Sequence, residues 1–167
     1  GIKSVALRYF NACGADADGE IGERHEPETH LIPNILKSVI AGKTSELKVF
    51  GDNYLTPDGT CIRDYIHVSD LASAHILAGE YLQKHAGAFA FNLGNGNGFS
   101  VLDVIKAARK VVGQNIVYTI EGPRAGDPPV LVADAKQAEQ VLGWQPAYTD
   151  IESIIATAWH WHQNETF

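Results

Sequence analysis

The sequence predicts an α/β fold. Short runs rich in β-branched and aromatic residues alternate along the chain with longer segments whose apolar residues follow helical spacing. Glycines or capping residues separate most of these segments. The apolar fraction of 45% is ordinary for a globular protein, and 167 residues are enough to bury a core. No internal repeat or low-complexity linker divides the chain, so we expect a single unit.

The N-terminal part predicts a strand, a long loop and a helix, in that order. Val5 to Phe10 is a β-rich run that ends at Asn11. The polar, glycine-rich loop that follows runs to Thr29 and is long enough to have a functional role. Leu31 to Ile40 repeats apolar residues at positions i, i+3 and i+4, which is typical of an amphipathic helix.

The next part predicts two short strands joined by a turn. Leu47 to Phe50 is the first strand. Asp58 and Gly59 predict a turn, because glycine accepts a positive φ and aspartate can hydrogen-bond its own backbone. A short apolar strand is expected to begin at Arg63.

The rest of the chain alternates helices that open on a capping side chain with two further strands. We predict helices from Ser69 or Asp70 to about His85, from Ser100 with Asp103 as its capping-box partner, from Asp134 through Ala135 to Leu142, and from Asp150 to about His162, and strands at Ala88 to Leu93 and Ile116 to Ile120. The alternation of strands and helices continues to the end of the chain.

The glycines between the second-last strand and its helix resemble a dinucleotide-binding turn. Gly94, Gly96 and Gly98 follow a predicted strand. Glu121 comes later in the sequence, at a separation that would suit the carboxylate that contacts a ribose. The third glycine comes one position too early, however, for the pyrophosphate turn. We therefore expect a tight connection into the helix capped by Ser100 instead of a cofactor site.

The net charge of −7 disfavours nucleic acid and anionic membranes as general partners. No segment approaches the ~20 apolar residues that span a bilayer, and no basic segment followed by an apolar run has the pattern of a signal peptide. These features predict a cytoplasmic protein without a nucleic-acid or membrane partner. Any anion site must be made positive by local cations.

The two cysteines, Cys13 and Cys61, have no metal-ligand spacing. We expect two reduced thiols, and a disulfide between them is the alternative. The histidines also predict no metal site. His25 and His30 lie in a loop without a matching carboxylate arrangement, and His160 and His162 are two apart on a predicted helix, so they point to different faces.

Arg63 offers a planar fork of donors that fits two phosphate oxygens at once. It follows a turn and adjoins a strand, a context that suits a phosphate. The alternative is an ion pair with Asp64 or with another surface carboxylate. Residue chemistry alone leaves both interpretations open.

Three segments carry a resemblance to a known family. They read Arg-Asp-Tyr-Ile-His-Val-x-Asp-Leu-Ala at 63–72, Leu-Arg-Tyr-Phe-Asn at 7–11 and Pro-Arg-x-Gly-Asp at 123–127. Together they resemble the C-terminal half of UDP-glucose 4-epimerases, within the extended short-chain dehydrogenase/reductase family. The resemblance implies edge strands of a Rossmann-type sheet plus the small α/β substrate-binding domain, with residues 1–167 as a single C-terminal substrate-binding region.

Intact members of that family also carry a glycine-rich βαβ unit for NAD and a Tyr-x-x-x-Lys pair for proton transfer. None of the six tyrosines here has a lysine four positions on. We therefore expect a fragment that has no catalytic residue of its own and lacks the N-terminal NAD-binding half. Turnover would require that half as a partner, in an enzyme that the resemblance implies to be a homodimer.

The resemblance also implies a substrate site. The matching residues are Asn11, His30, Leu31, Lys48, Val49, Phe50, Arg63, Arg124, Asp127 and Leu131. Arg63 and Arg124 would hold the diphosphate, and Asn11 would donate to it. The backbone amides of His30 and Leu31 would face a phosphate or sugar oxygen at the start of a helix.

The remaining roles concern the nucleoside, the sugar and the cofactor. The strand at 48–50 would meet uracil through its backbone, and Asp127 would lie near the ribose. Leu131 corresponds to a gate beside the sugar, and its intermediate size leaves N-acetylated UDP-hexosamines open as substrates. Phe10 would approach the nicotinamide of NAD. The implied function is UDP-sugar binding in UDP-glucose/UDP-galactose 4-epimerisation, and the alternative is a stand-alone, non-catalytic sugar-nucleotide binding module.

Overall fold

The structure is a computed structural model that describes residues 1–43 and 47–164. Its strands are β1 (Ser4–Arg8), β2 (Asn11–Cys13), β3 (Lys48–Phe50), β4 (Ile62–Arg63), β5 (Tyr65–His67), β6 (Ala88–Asn92), β7 (Phe99–Ser100), β8 (Thr119–Glu121) and β9 (Val130–Leu131). Its helices are α1 (Leu31–Ile40), α2 (Val68–Lys84), α3 (Val101–Val112), α4 (Lys136–Leu142) and α5 (Ile151–Asn164). The predicted α/β class is confirmed.

The strands form small sheets in which parallel pairs predominate. β1 pairs with β6, β2 with β5, and β3 with β8, all in parallel. β4 lies between β7, which is antiparallel to it, and β9, which is parallel. Parallel pairing requires a crossover between partners, and helices supply several of these crossovers. No helix in the described part of the chain is long and apolar enough to span a bilayer.

Two hydrophobic clusters fill the interior. One packs α1, α3 and α5 around residues such as Ile35, Ile105 and Ile154, all buried. The other packs α2 and α4 against β6, with Trp144 fully buried at its centre. The indole N–H of Trp144 donates to the Asp70 carbonyl at 2.9 Å, so burial leaves no unpaired donor on this ring.

The first predicted strand is wrong at its C-terminal end. β1 stops at Arg8, and a separate strand, β2, begins at Asn11. The two strands belong to different sheets, because β1 pairs with β6 whereas β2 pairs with β5. Tyr9 and Phe10 lie at this switch between sheets, and both are exposed.

Two of the predicted helix starts are confirmed in detail. Ser100 and Asp103 form a reciprocal capping box at the start of α3, each side chain accepting from the other residue's amide. Asp150 accepts from the Ser153 amide at 2.9 Å and so caps α5. Helix α1 also has the predicted bounds.

Two other predicted starts are wrong. Helix α2 is capped by His67, whose side chain accepts from the Ser69 amide at 3.1 Å, so neither Ser69 nor Asp70 is the cap. Helix α4 begins at Lys136, although Asp134 still accepts from the Lys136 amide at 3.1 Å.

The predicted strand at 116–120 is also displaced. β8 begins only at Thr119. The Ile116 side chain is fully buried in the first cluster, and the Ile116 carbonyl accepts from Nε of Arg109 at 3.2 Å. This carbonyl is therefore paired with a side chain, and strand pairing with β3 starts further on.

Asp64 joins three parts of the chain. This residue separates β4 from β5 along the chain, so Arg63 ends one strand instead of starting another as predicted. The Asp64 carboxylate accepts from the amides of Asn95 at 2.8 Å, Gly96 at 3.2 Å and Ala133 at 3.1 Å. A Cβ at Gly94 would collide with Asp64 Oδ2. The segment with Gly94 and Gly96 therefore binds the Asp64 carboxylate through backbone amides, and the missing side chain at Gly94 leaves room for it.

His67 is fully buried and has partners on both ring nitrogens. Because Nδ1 accepts from the Ser69 amide, Nε2 carries the proton and donates to the Thr157 hydroxyl at 3.0 Å. The ring also stacks on Tyr148 with centroids 3.7 Å apart. Burial lowers the pKa of His67 below its ordinary value of 6.5, although the Asp70 charge opposes this shift.

We predict that Asp64→Ala lowers the free energy of unfolding by about 2–4 kcal/mol, because the Ala133 amide is left buried and unpaired while the other two amides lose a charged acceptor. Urea denaturation measures the change. Asp18→Ala removes an exposed carboxylate and should cost less than about 0.5 kcal/mol. Equal stability of the two variants would contradict the role given to Asp64.

We also predict a pH dependence from His67. As the pH falls below 6.5, the unfolded chain binds a proton that the folded chain does not, so stability falls with a slope approaching about 1.4 kcal/mol per pH unit for this group. In His67→Gln the decline between about pH 7 and 5.5 should be shallower. Urea midpoints across this range measure it, with the exposed His75→Gln as the control. Parallel profiles for wild type and His67→Gln would refute the assignment.

Candidate functional site

One cavity of about 630 Å³ brings together most of the residues that the sequence singled out. Its volume lies within the usual range for a small-molecule site. β2, the start of α1, β3, the β4–β5 segment and the loop at 124–127 border it. The predicted residues that line it are Asn11, His30, Leu31, Lys48, Val49, Phe50, Arg63, Arg124 and Asp127.

Two predicted site residues lie outside this lining. Phe10 borders a different cavity of about 430 Å³, together with Arg8 and Tyr9. Leu131 is in β9, where it stands opposite Arg63 in the strand register. Leu131 itself does not line the main cavity, but its strand partner Arg63 does.

The guanidinium of Arg63 is fixed by backbone carbonyls. Its Nη1 donates to the carbonyls of Ile62 at 2.9 Å and Pro128 at 2.8 Å. Its Nη2 lies 3.6 Å from the Asp127 carboxylate. The proposed pairing with Asp64 is wrong, because the Asp64 carboxylate serves backbone amides. Arg63 thus has a preset orientation in the cavity wall.

Arg124 approaches the same cavity from an exposed loop. Its Cζ lies 4.0 Å from the centroid of the Phe50 ring, a cation–π contact. Such a contact is worth ~0.5–1 kcal/mol at an exposed site. Phe50 therefore orients the second predicted arginine.

The amide side chain of Asn11 is partly engaged. Its Nδ2 donates to the Asp64 carbonyl at 2.8 Å, which uses one of the two protons on this nitrogen. The bond fixes the side chain against β5 and leaves a second proton with which Asn11 can donate.

The cavity is locally basic although the chain is acidic. Its lining includes Lys37, Lys43 and Lys48 besides the two arginines. Lys37 lies 3.5 Å from Glu28, and Lys48 lies 3.3 Å from Glu121. The cations outnumber the carboxylates in the lining, which matches the expectation that local charge overrides the net charge of −7.

Sequence reasoning missed one wall of the cavity. The missed residues along one face are Asn34, Lys37 and Ser38 on α1 and Ala41 just after its end, and Ile32 and Pro33 in the first turn also line the cavity. The first four follow Leu31 at intervals of three and four positions, which places them on one helix face. This spacing could have predicted that the site continues from Leu31 along the same face of α1.

The amide of His30 already has a partner. Glu28 Oε1 accepts from the amides of Thr29 at 2.8 Å and His30 at 2.9 Å. Burial alone would raise the pKa of Glu28, but these amides, Lys37 and His30 outweigh it and hold the pKa below its ordinary value. A ligand oxygen at the His30 amide would have to displace this carboxylate.

The prediction that His25 and His30 lack matching carboxylates is wrong. Glu23 Oε1 lies 2.9 Å from His25 Nδ1 and 2.8 Å from His30 Nδ1. Glu28 approaches the same two rings. The loop folds back on itself, which no periodic pattern in the sequence signals.

Both cysteines are free and buried in the structure. Cys13 and Cys61 both line the main cavity. Burial raises the pKa of the Cys13 thiol well above its ordinary value, and the charges of Glu23 and Asp64 add to the shift. The Cys13 thiol therefore stays protonated at neutral pH.

Comparison with known proteins decides the family. The NAD dependent epimerase/dehydratase family matches residues 1–94. The chain belongs to this family. A UDP-glucose 4-epimerase of Lacticaseibacillus casei is 55% identical over 98% of the chain and 49% of that protein.

Solved structures of family members agree with the fold. The structure of UDP-glucose 4-epimerase from Brucella ovis in complex with NAD matches with a TM-score of 0.89 and 51% identity, over 96% of this chain and 50% of that one. The Bifidobacterium longum enzyme in complex with NAD⁺ and UDP matches with a TM-score of 0.89 and 42% identity, over 96% and 48%. The chain thus spans about half the length of these relatives, and its fold is part of an extended short-chain dehydrogenase fold.

We predict that Cys13 resists thiol reagents in the folded chain at pH 8 and reacts rapidly in denaturant, because its thiol is both buried and protonated. Labelling kinetics in a Cys61→Ser background isolate Cys13. The matching Cys13→Ser variant reports Cys61 alone. Rapid labelling of Cys13 in the folded chain would show that the cavity wall is open at this point.

Proposed function

We propose that this chain is the UDP-sugar-binding, C-terminal half of a UDP-glucose 4-epimerase. The observation that carries the proposal is the pair Arg63 and Arg124, which border one basic cavity of suitable size. The relatives named above support it, since one of them was solved with UDP. The intact enzyme would interconvert UDP-glucose and UDP-galactose, a reaction of galactose metabolism, by inverting C4 of the sugar.

The two arginines suit a diphosphate for different reasons. Arg63 is held rigid by the Ile62 and Pro128 carbonyls, so little conformational entropy is lost when it binds an anion. Arg124 rests on Phe50 in an exposed loop and can close over a ligand. Each charge-assisted hydrogen bond would contribute ~1.5–3 kcal/mol. Asn11 would add a neutral donor, and Asp127 would compete for Arg63 until it turns to the ribose.

The uracil would bind along β3. In the described part of the chain this strand pairs with β8 on one side. Its other edge can therefore offer backbone donors and acceptors to a base. Val49 is buried beneath the edge, whereas Lys48 is exposed at its rim. Backbone groups of β3 would recognise the base, and the apolar side chain of Val49 would lie beneath it.

The sugar would lie beyond the diphosphate, near Leu131. This residue is opposite Arg63 in register, so it borders the sugar end of a ligand anchored on Arg63. Its intermediate size would accommodate either an unsubstituted hexose or an N-acetylated hexosamine. Anchoring the nucleotide at remote groups lets the sugar turn over between half-reactions without leaving, since binding energy away from C4 keeps the ligand in place.

NAD would supply the hydride acceptor for C4 when it is bound. In this chain Phe10 fits a contact with a flat cofactor ring, because its aromatic side chain is exposed beside a cavity. The proton-transfer residues and most of the NAD site would belong to the N-terminal half. We propose a homodimer in the cytoplasm for the intact enzyme, and two free thiols are compatible with that compartment.

We predict that Arg63→Ala and Arg124→Ala each weaken UDP binding by about 10- to 100-fold, as expected for the loss of a charge-assisted hydrogen bond worth ~1.5–3 kcal/mol. Calorimetric titration of UDP measures the affinity. The exposed Lys106→Ala on α3 removes a cation outside the cavity and should leave the affinity unchanged.

Thermal denaturation without ligand accompanies this experiment. Arg124→Ala should barely change stability, because an exposed cation contributes ~0–1 kcal/mol. Wild-type UDP affinity in both arginine variants would refute the proposed site. A uniform loss of affinity in all three variants would point to general electrostatics.

A further inference from the structure

Four potential metal ligands meet in the loop ahead of α1. Glu23, His25, Glu28 and His30 each contribute one ligand atom, and these atoms all lie within 4.8 Å of one another. Both histidines present the same nitrogen, Nδ1, to the carboxylates. The Nδ1 to Oε1 distances are 2.9 and 3.8 Å for His25 and 2.8 and 3.1 Å for His30.

These distances resemble the edges of a metal coordination polyhedron. Ligands bound tetrahedrally to zinc at about 2.0–2.2 Å are separated from one another by roughly 3.3–3.6 Å. Three of the four Nδ1 to Oε1 distances are shorter than this range and one is longer. The two imidazole rings are tilted by 51° with centroids 4.9 Å apart, so they converge without stacking.

Hydrogen bonding alone accounts poorly for this arrangement. The two rings bring at most two Nδ1 protons to four contacts, and two carboxylates are held close together. The Glu28 side chain is only 6% exposed, yet its Oε2 has no hydrogen-bond partner within the described structure. Lys37 Nζ lies 3.5 Å from this oxygen. A divalent cation would balance both carboxylates at once.

The surroundings orient one ligand in advance. Glu28 Oε1 accepts from the Thr29 and His30 amides, which fixes the carboxylate in the loop. Outer hydrogen bonds of this kind are typical supports of metal-binding carboxylates. Two imidazoles and two carboxylates suit zinc, whereas calcium and magnesium prefer oxygen ligands alone.

We propose that Glu23, His25, Glu28 and His30 bind one zinc ion. With four protein ligands the site is closed, which is characteristic of a structural ion. The ion would join Glu23 and His25 in the loop to His30, which immediately precedes α1 and borders the main cavity. It thereby fixes the entrance to α1 independently of any sugar nucleotide.

Titration of Zn²⁺ into the metal-stripped 167-residue chain tests the proposal. Wild type should bind one Zn²⁺ per chain and gain thermal stability on binding. His25→Gln and Glu23→Gln should each weaken Zn²⁺ binding by more than roughly 100-fold, because loss of even an outer-shell partner costs about 10- to 100-fold. His75→Gln removes an exposed histidine on α2 and should bind as wild type does.

The outcomes are distinct. Equal Zn²⁺ binding in wild type and in both ligand variants overturns the proposal, and so does absence of binding to folded wild type. Preference for Mg²⁺ over Zn²⁺ overturns the assigned metal class. If one variant does not fold, Co²⁺ absorption in wild type still decides, since a tetrahedral site gives intense visible bands whereas weak bands, typical of octahedral Co²⁺, would overturn the four-ligand site. None of these readouts depends on UDP.

Discussion

The buried carboxylate of Asp64 is the constraint on which the geometry of the cavity depends. It accepts from amides that follow β6 and from one that follows β9, while the Asp64 carbonyl accepts from Asn11 on β2. Three distant parts of the sequence are thus held around Asp64. Arg63 is its immediate neighbour, so this network fixes the backbone from which the proposed phosphate anchor extends. Burying a carboxylate is tolerable here because three amides compensate for the lost water.

A second feature is the separation of charge. The chain carries a net charge of −7, but the cavity lining gathers lysines and arginines from α1, β3, β4 and the loop at 124–127. Carboxylates nearby form ion pairs with several of these cations, as Asp127 does with Arg63. These ion pairs hold the cations in place, and the proposed anionic ligand would exchange them for pairs of its own.

Local signals made much of the fold predictable. The α1 periodicity and the Ser100–Asp103 box act within a few residues, and both appear in the structure where expected. Strands β2 and β9 are only three and two residues long, and their pairing partners are distant in sequence, so no periodicity indicates them. The His67 cap depends on a bond to Thr157, 90 residues away. The convergence of Glu23 on His30 likewise arises from loop folding, which residue type does not encode.

The central claim is that Arg63 and Arg124 hold the diphosphate of a UDP-sugar in this cavity. A crystal structure of the protein with UDP bound tests it most directly. We expect both guanidinium groups within hydrogen-bond distance of diphosphate oxygens, and uracil along the edge of β3 beside Phe50. A diphosphate that lies outside the cavity, or that contacts neither arginine, would contradict the account.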